Sequence, residues 1–337
     1  MANRGQLNKS MKMMLVWLLV FSSQLMFDSA AMDSSSDDPA DWLEMMTDAR
    51  KSQTYQGTFV LSRGDEMSSM RVLHRFVDGE EQERLIALDG TPREIIRQGD
   101  RVICIFPGDQ QVQLEQALPT GPFAAGIKDI APLQAVYSIK VAGSERLADY
   151  EVVKVALMAK DQHRYSYLLW LEKNSGLLLK SVLMGQGGEV LERFQFTSLE
   201  IGGHISDEQI IGKADGVALS HQAGSGAQKN ESLSHHWRLG WLPDGFSPAQ
   251  YVMKRNSVMP ENSKTRVFSD GLAMFSVFVE RYQDVGMPEG ASQMGATIAY
   301  ARYVDYDDTR YVVTIVGEVP PMTAAKIAAE LRLFSPT

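Results

Sequence analysis

From residue 55 to residue 196 the sequence consists of short runs in which apolar and polar side chains alternate. Alternation with a period of two places successive side chains on opposite faces of a strand, so each run predicts a β-strand with one buried face. Turn residues such as Asp89 and Gly90 separate the runs, and short turns join antiparallel neighbours. The pattern therefore predicts one strongly curved antiparallel meander, interrupted at residues 117–133 by a loop rich in Pro, Gly and Ala. The predicted strands span residues 55–62, 70–76, 84–88, 94–98, 101–106, 111–115, 136–141, 151–159, 164–172, 177–184 and 190–196.

One amphipathic helix is predicted before these strands. Asp38 followed by Pro39 is typical of a helix start, with Asp as the N-cap and Pro in the first turn. Apolar residues then recur at helical spacing up to about residue 51. We expect this helix to cover the inner face of the curved sheet. The residues that carry the spacing are Trp42, Met45, Met46 and Ala49.

A second unit is predicted after a segment of small and polar residues at 220–234, whose composition is typical of a flexible linker. It contains strand-like runs at 251–255, 265–269, 273–280, 296–303 and 310–316, followed by a helix from Thr323, as N-cap, to about residue 333. Strands with one terminal helix indicate a small α+β domain. We therefore divide the chain into residues 1–31, 32–205 (the half-barrel domain), 206–234 (the linker) and 235–337 (the small domain).

The first 31 residues have the organisation of a secretory signal peptide. Three basic residues precede the apolar run at 13–21, and the small residues Ser29 and Ala31 stand at −3 and −1 of a cut after Ala31. An uncleaved membrane anchor is the alternative, but it needs about 20 mainly apolar residues, and Ser22 ends this run too early. We therefore expect a soluble exported protein.

Charge and cysteine content exclude several classes of protein. Lys and Arg number 33 against 42 Asp and Glu, a net charge of −9, which argues against a nucleic-acid binder. The single cysteine, Cys104, excludes an intramolecular disulfide and a zinc site built from cysteines. Because Cys104 lies in an alternating apolar run, we expect it to be a buried, inert thiol.

The sequence contains no recognisable catalytic motif. Walker A, G-x-S-x-G and H-E-x-x-H patterns are absent. The glycine-rich segment at 185–188 lies between two predicted strands, so it predicts a turn and not a phosphate-binding loop. His74 lies among apolar strand residues and is predicted to be a core histidine with satisfied hydrogen bonds. We therefore expect a binding protein, without catalytic residues or a cofactor, and not an enzyme.

Two candidate metal sites are also rejected. The adjacent residues His235 and His236 would point to opposite faces of a strand, which is poor geometry for chelation. Asp305, Asp307 and Asp308 lack the glycine and the closing glutamate of a calcium loop, and are predicted to form a solvated hairpin turn.

Several stretches of the chain, taken in order, resemble the RseB/MucB family of periplasmic regulators of the envelope-stress sigma factor. The resemblance runs from about residue 41 to residue 333, across both predicted units. The stretches are WLEMM at 42–46, YQGTF at 55–59, MRVLH at 70–74, ERLIALDGTPREIIR at 83–97, the strand of Cys104, GWLPDGF at 240–246 and SDGLAMFSVFVE at 269–280.

This resemblance implies an α+β protein of two domains. The larger would be an unclosed antiparallel β-barrel with helical cover, similar to lipoprotein carriers of the Lol type, linked to a smaller α+β domain. The resemblance further implies a negative regulator of sigma-E in the periplasm. Such a protein binds the periplasmic domain of an RseA/MucA-type anti-sigma factor, shields it from site-1 proteolysis and is released by lipopolysaccharide or another acyl lipid. The alternative function is a periplasmic carrier of lipids or lipoproteins. The chain could also form a homo-oligomer.

Helix position and strand parity select the candidate lipid-binding residues, although an ordinary core explains the apolar ones as well. Arg93 and Arg97 could meet a lipid phosphate or could line a solvated strand edge. Aromatic and arginine side chains dominate binding hot spots, which selects the partner-binding candidates, although Trp241 and Phe246 could instead fill the core of the small domain. The lipid-binding candidates are Trp42, Met45, Met46, Phe59, Met70, Val72, Arg93 and Arg97, and the partner-binding candidates are Trp237, Arg238, Trp241, Phe246 and Tyr251.

Overall fold

A computed structural model describes residues 38–99, 101–106, 110–114, 130–211, 236–249, 265–282 and 288–335. The predicted signal peptide, the predicted strand at 251–255 and residues 212–234 of the predicted linker lie outside this part of the chain. Among the described residues no helix is long and apolar enough to cross a lipid bilayer.

The predicted meander is an eleven-stranded antiparallel sheet. Its strands are β1 (Tyr55–Arg63), β2 (Glu66–Val77), β3 (Glu80–Ala87), β4 (Glu94–Gln98), β5 (Arg101–Phe106), β6 (Gln110–Leu114), β7 (Tyr137–Leu147), β8 (Tyr150–Ala159), β9 (Ser166–Glu172), β10 (Leu178–Met184) and β11 (Val190–Ile201). Their order is β6-β5-β4-β3-β2-β1-β11-β10-β9-β8-β7, so β6 and β7 are the edges and the sheet is not closed. The expected unclosed antiparallel sheet is confirmed.

Two helices lie against the inner face of this sheet. Helix α1 (Pro39–Ser52) begins as predicted, because the Asp38 carboxylate accepts a hydrogen bond of 2.8 Å from the Ala40 N–H. Helix α2 (Ile130–Val136) corrects the sequence reading, which placed residues 130–133 in a loop and began a strand at 136. Leu133 is fully buried in the core that α1 also enters, so the helix is stabilised by tertiary packing.

A third helix covers part of the outer face. Helix α3 (Asp207–Ile211) packs Ile210, together with Ile205, against Leu73 of β2. Arg75 fixes the segment, since its guanidinium donates to the Ile205 carbonyl at 2.6 Å and to the Asp207 carboxylate. Helix α3 lies within residues 206–234, the segment predicted to be a linker.

The C-terminal residues form two further sheets. The six-stranded sheet has the order β13-β14-β15-β18-β17-β16 and the small one pairs β12 with β19. The strands are β12 (His236–Leu239), β13 (Ser247–Pro248), β14 (Thr265–Ser269), β15 (Met274–Arg281), β16 (Gly290–Met294), β17 (Thr297–Tyr306), β18 (Thr309–Gly317) and β19 (Leu331–Phe334).

The last helix differs from its prediction at both ends. Helix α4 spans Pro321–Ala329, with Pro320 at the N-cap, so Thr323 is not the cap but a buried residue of the first turn. The predicted extension to residue 333 is wrong, because Leu331–Phe334 is a strand paired with β12. Leu331 and Leu333 both face the core, and that pairing joins segments almost a hundred positions apart, which helical spacing cannot reveal.

The turns rejected as ligand sites are confirmed as turns. Residues 185–188 connect β10 and β11. Asp307 and Asp308 form the hairpin between β17 and β18, and Asp305 pairs with Arg310 on the surface. Cys104 is half-buried and not fully buried as expected, and burial raises the pKa of its thiol.

Candidate functional site

The predicted lipid-binding side chains meet on the inner face of the large sheet. Trp42 and Met46 of α1 belong to one core cluster, with Met45 packed against it. The other apolar candidates, Phe59, Met70 and Val72, belong to the neighbouring cluster, where Phe59 lies 5.0 Å from Phe194 between ring centroids. The first three therefore pack in one cluster with α1, and the cluster of the other three also contains Ala49 of α1.

Beyond these apolar side chains the inner face becomes polar. The register places Tyr55, His74, Glu83 and Arg97 beside one another on four adjacent strands. His74 is fully buried, its ring stacks on Tyr55 at 4.6 Å, and its Nδ1 lies 3.0 Å from the Gln53 carbonyl oxygen. The prediction of a core histidine is confirmed for burial. Its second nitrogen, Nε2, has no hydrogen-bond partner of good geometry among the described residues and lies 3.5 Å from the Glu81 carboxylate.

Glu83 of this row and the neighbouring Glu81 have opposite pKa shifts. Burial alone would raise the pKa of Glu81, but the contact with His74 and the charge of Arg50 lower it to about 2. For Glu83 burial prevails over the charges of His74 and Arg97, and its pKa is raised. Both carboxylates lie near the C-terminal end of α1, where the charge of Arg50 acts to lower the pKa of each.

The two arginines proposed for lipid phosphate lie in different environments. Arg93 precedes β4 and is exposed. Arg97 is only 5% exposed, and its charge acts on Glu81 and Glu83. The structure therefore does not bring the two guanidinium groups together, and Arg97 is not on a solvated edge. Its burial follows from strand register, which the sequence reading did not assign.

The partner-binding candidates also divide by burial. Trp237 is fully buried in the core of the small sheets, beneath the Arg266 guanidinium at 4.0 Å, and Phe246 lies in the same core. Arg238 is exposed. Trp241 is partly buried, and Tyr251 lies outside the described residues.

Trp241 marks a junction between the large sheet and the C-terminal sheets. Its ring meets His163, from the β8–β9 connection, at 4.9 Å between centroids, and the Lys326 ammonium lies 3.8 Å from its centre. His163 Nδ1 in turn lies 3.1 Å from the Thr323 hydroxyl of α4.

The centre of this junction is a buried arginine that the sequence reading missed. Arg164 follows His163, and its fully buried guanidinium donates to the fully buried Asp270 carboxylate at 2.6 Å. The same guanidinium donates to Asp161 at 2.9 Å and to the Asp244 carbonyl. Its carbon lies 5.3 Å from the ring centre of Phe246. Arg164 and Asp270 are 106 positions apart, so no local pattern could have paired them.

A second contact of the junction contains two carboxylates. Glu192 of β11 accepts the Ala296 N–H at 3.2 Å and lies 3.6 Å from the Arg63 guanidinium. Glu318 follows β18, and burial together with the negative charge of Glu192 raises its pKa to about 7. Nearby, the Tyr165 hydroxyl donates to the Val319 carbonyl at 3.2 Å.

Comparison with known protein families gives two matches that together cover most of the chain. The model of the MucB/RseB N-terminal domain matches residues 38–213, and that of the MucB/RseB C-terminal domain matches residues 231–332.

Individual relatives agree with these matches. The chain is 35% identical to the sigma factor AlgU regulatory protein MucB of Pseudomonas aeruginosa, over 88% of this chain and 91% of that protein. It is 29% identical to the sigma-E factor regulatory protein RseB of Escherichia coli K12, over 86% of this chain and 89% of that protein. These relatives are regulatory proteins and not enzymes, which confirms the expectation of a non-enzymatic protein.

Solved structures of MucB also match the fold of this chain. The complex of MucA and MucB from Pseudomonas aeruginosa matches with a TM-score of 0.68 at 32% identity, over 89% of this chain and all of that chain. A crystal structure of MucB in complex with MucA(peri) matches with a TM-score of 0.67 at 33% identity, over 89% and 100% of the two chains.

Proposed function

The chain belongs to the MucB/RseB family, and we propose that it is a periplasmic negative regulator of a sigma-E-type factor. In this role it binds the periplasmic domain of an RseA/MucA-type anti-sigma factor, shields that domain from site-1 proteolysis, and releases it when lipopolysaccharide or another acyl lipid binds. The observation that carries the proposal is the match over 89% of the chain to a MucB that is held in complex with MucA(peri).

We assign the partner contact to the C-terminal sheets and their junction with the large sheet. Arg238 is exposed and Trp241 is partly accessible, so both can contact a partner, and Tyr251 stays a candidate. Trp237 and Phe246 are buried in the core of the C-terminal sheets, and this core positions Arg238 and Trp241. The proposed domains are unchanged: residues 32–205 form the half-barrel domain and residues 235–337 form the small domain.

We assign the lipid to the inner face of the large sheet, where all six apolar candidates meet. The same face supports the alternative function, a periplasmic carrier of lipids or lipoproteins, since an unclosed sheet with a helix-covered apolar face is all that a carrier needs. The two functions differ in one property: a carrier binds lipid without binding an anti-sigma factor.

The deciding experiment is calorimetric titration of residues 32–337 with the periplasmic domain of the host's anti-sigma factor, with and without purified lipopolysaccharide. Tight binding that the lipid weakens is the expected result. Trp241→Ala should weaken the binding, whereas Met322→Ala, which removes an exposed side chain of α4, should not. Absence of binding in both conditions would refute the regulator and leave the carrier.

A second arm tests protection. The anti-sigma domain, incubated with its site-1 protease, should be cleaved more slowly when the protein is present, and lipopolysaccharide should restore cleavage. Equal cleavage rates with and without the protein would contradict the shielding role.

A further inference from the structure

Helix α1 presents to the large sheet a row of apolar side chains that ends in a cation. Trp42, Leu43 and Met46 of this row are buried in the core beneath the helix. Arg50 lies one turn beyond Met46, and its guanidinium is 3.6 Å from the Glu81 carboxylate of β3. The face of α1 that contacts the sheet therefore has the chemical form of an amphiphile with a cationic head group.

Two hydrogen-bond acceptors face each other at the place where Arg50 meets the sheet. His74 is fully buried, and its Nδ1 lies 3.0 Å from the Gln53 carbonyl oxygen. Because a carbonyl oxygen only accepts, Nδ1 carries the proton of the neutral ring, and Nε2 is an acceptor. Within the described ranges Nε2 has no donor of good geometry, and the group that lies 3.5 Å from it is the Glu81 carboxylate. A buried acceptor that lacks a donor is costly, so this place favours a group that supplies N–H donors.

The charges at this place favour a cation. Although burial opposes it, the contact with His74 and the charge of Arg50 lower the pKa of Glu81 to about 2, so Glu81 is ionised at neutral pH. Glu83 lies opposite His74 in the register of β2 and β3, and the charge of Arg97 acts on both carboxylates. If α1 leaves the face, Arg50 leaves with it, and Glu81 loses the cation that lies against it.

Exposure changes along α1 in the way that an amphiphile requires. The side chains of Arg50 and Glu81 are 28% and 24% exposed, whereas Trp42 is 2% exposed. The charged contact thus lies at the solvent-accessible rim of the inner face, and the apolar contacts lie deeper. A lipid in the place of α1 could keep a polar head group at this rim while its acyl chain lies on the apolar side chains of the sheet.

We propose that Glu81, Glu83 and His74 form a head-group site on the inner face, and that this site takes the ammonium group of an acyl lipid. Arg50 occupies the site when α1 covers the face, so the helix is an internal substitute for the lipid. The inference rests on the proposed lipid-binding function and deepens it by naming the class of lipid, one whose head group carries an amine.

An ammonium group fits the head-group site in both charge and hydrogen bonding. It carries one positive charge, which replaces that of Arg50 beside Glu81. It also has three N–H donors, so it can donate to Nε2 of His74 and to a carboxylate at the same time. A hydroxyl head group supplies one donor without charge, and a carboxylate head group would add a negative charge beside Glu81.

The test is calorimetric titration of the mature chain at pH 7 with decylammonium, decanol and decanoate, each below its critical micelle concentration. The three probes share one acyl-like chain and differ in the charge of the head group. Decylammonium should bind about 10-fold more tightly than decanol, which is the size of effect that hydrogen bonds to a charged group produce. Decanoate should bind most weakly, because its carboxylate meets Glu81.

Two variants at the partly exposed ion pair locate the site. Glu81→Gln removes the charge that the ammonium group meets, so it should abolish most of the preference for decylammonium over decanol. Glu66→Gln, at an exposed glutamate of β2, is the matched control and should keep the wild-type preference. Arg50→Met weakens the internal substitute, so all three probes should bind about 2–5-fold more tightly, in the same order.

The outcomes separate this inference from the proposed function. Equal binding of the three probes, or an unchanged preference in Glu81→Gln, would overturn the head-group site and leave lipid binding at the inner face intact. Weaker binding of decylammonium to Arg50→Met would also overturn it, because Arg50 would then support the ligand and not compete with it. Absence of binding by all three probes would contradict lipid binding itself, and the head-group site with it.

Discussion

Replacing Arg164 by methionine should destabilise the protein by about 3–5 kcal/mol, because it leaves a buried carboxylate without its partner. The side chains of Arg164 and Asp270 are both fully buried and lie 2.6 Å apart. Within the described part of the chain, Asp270 then keeps the hydrogen bonds from the Leu272 and Ala273 N–H groups and from the more distant Tyr137 hydroxyl. Methionine occupies similar space without charge, so the measured loss reports on the pair and not on a cavity.

The double variant Arg164→Met/Asp270→Asn separates the cost of the unpaired charge from the cost of the lost bonds. Asparagine can still accept from the Leu272 and Ala273 N–H groups but carries no charge. The double variant should therefore be more stable than Arg164→Met alone, and the two substitutions should not be additive.

Urea-induced unfolding followed by far-UV circular dichroism measures these differences. Arg310→Met is the control, since Arg310 pairs with Asp305 on the surface and such pairs contribute little. A loss below about 1 kcal/mol for Arg164→Met would refute the reasoning, because it would mean that water solvates Asp270 as well as Arg164 does.

Three further predictions concern single sites. Glu318→Gln should stabilise the protein by about 3 kcal/mol above pH 7 and not at all below pH 4.5, as urea unfolding at both pH values would reveal, because the wild-type pKa rises to about 7 on folding. Gly57→Ala should cost about 1–3 kcal/mol in the same assay, because its Cβ would lie 2.4 Å from the Ser198 carbonyl oxygen. The Cys104 thiol, whose pKa burial raises, should react slowly with iodoacetamide at pH 7 and faster once urea unfolds the chain.

Local patterns predicted the elements whose partners are close in sequence. Helix α1 followed from the Asp38 cap and the helical spacing after it, and the meander followed from alternation and short turns. The strand β19 was missed because its partner, β12, lies far away in the chain, and α2 was missed because its few residues are held by burial of Leu133 rather than by helix propensity.

The same distinction applies to the candidate site. Strand parity correctly placed Phe59, Met70 and Val72 on one face. It could not tell that Arg97 would be buried, which depends on the register between β3 and β4. Nor could it find Arg164 and Asp270, since a charged residue in a loop looks the same whether it is solvated or paired across a junction.

A lipid that binds at the inner face of the large sheet in place of α1 must displace the side chains that this helix packs there. Displacing α1 would expose Trp42, Leu43 and Met46, at about 1.5–3 kcal/mol for each large apolar side chain, or about 5–9 kcal/mol together. An acyl chain gains about 0.8 kcal/mol for each buried methylene, so a chain of about ten methylenes returns about 8 kcal/mol. The two figures are of similar size, so the proposed exchange of helix for lipid is compatible with reversible binding.

Replacing α1 by lipid would also affect the junction between the large sheet and the C-terminal sheets. Trp42 and Leu43 belong to the same core cluster as Leu272 and Ala296, which come from the C-terminal side. An acyl chain that took the place of α1 would remove Trp42 and Leu43 from this shared cluster. A ligand shifts an equilibrium only by binding one state better than the other. On the proposed function, a lipid that takes the place of α1 favours the state in which this cluster is disrupted, and release of the anti-sigma domain is the expected consequence.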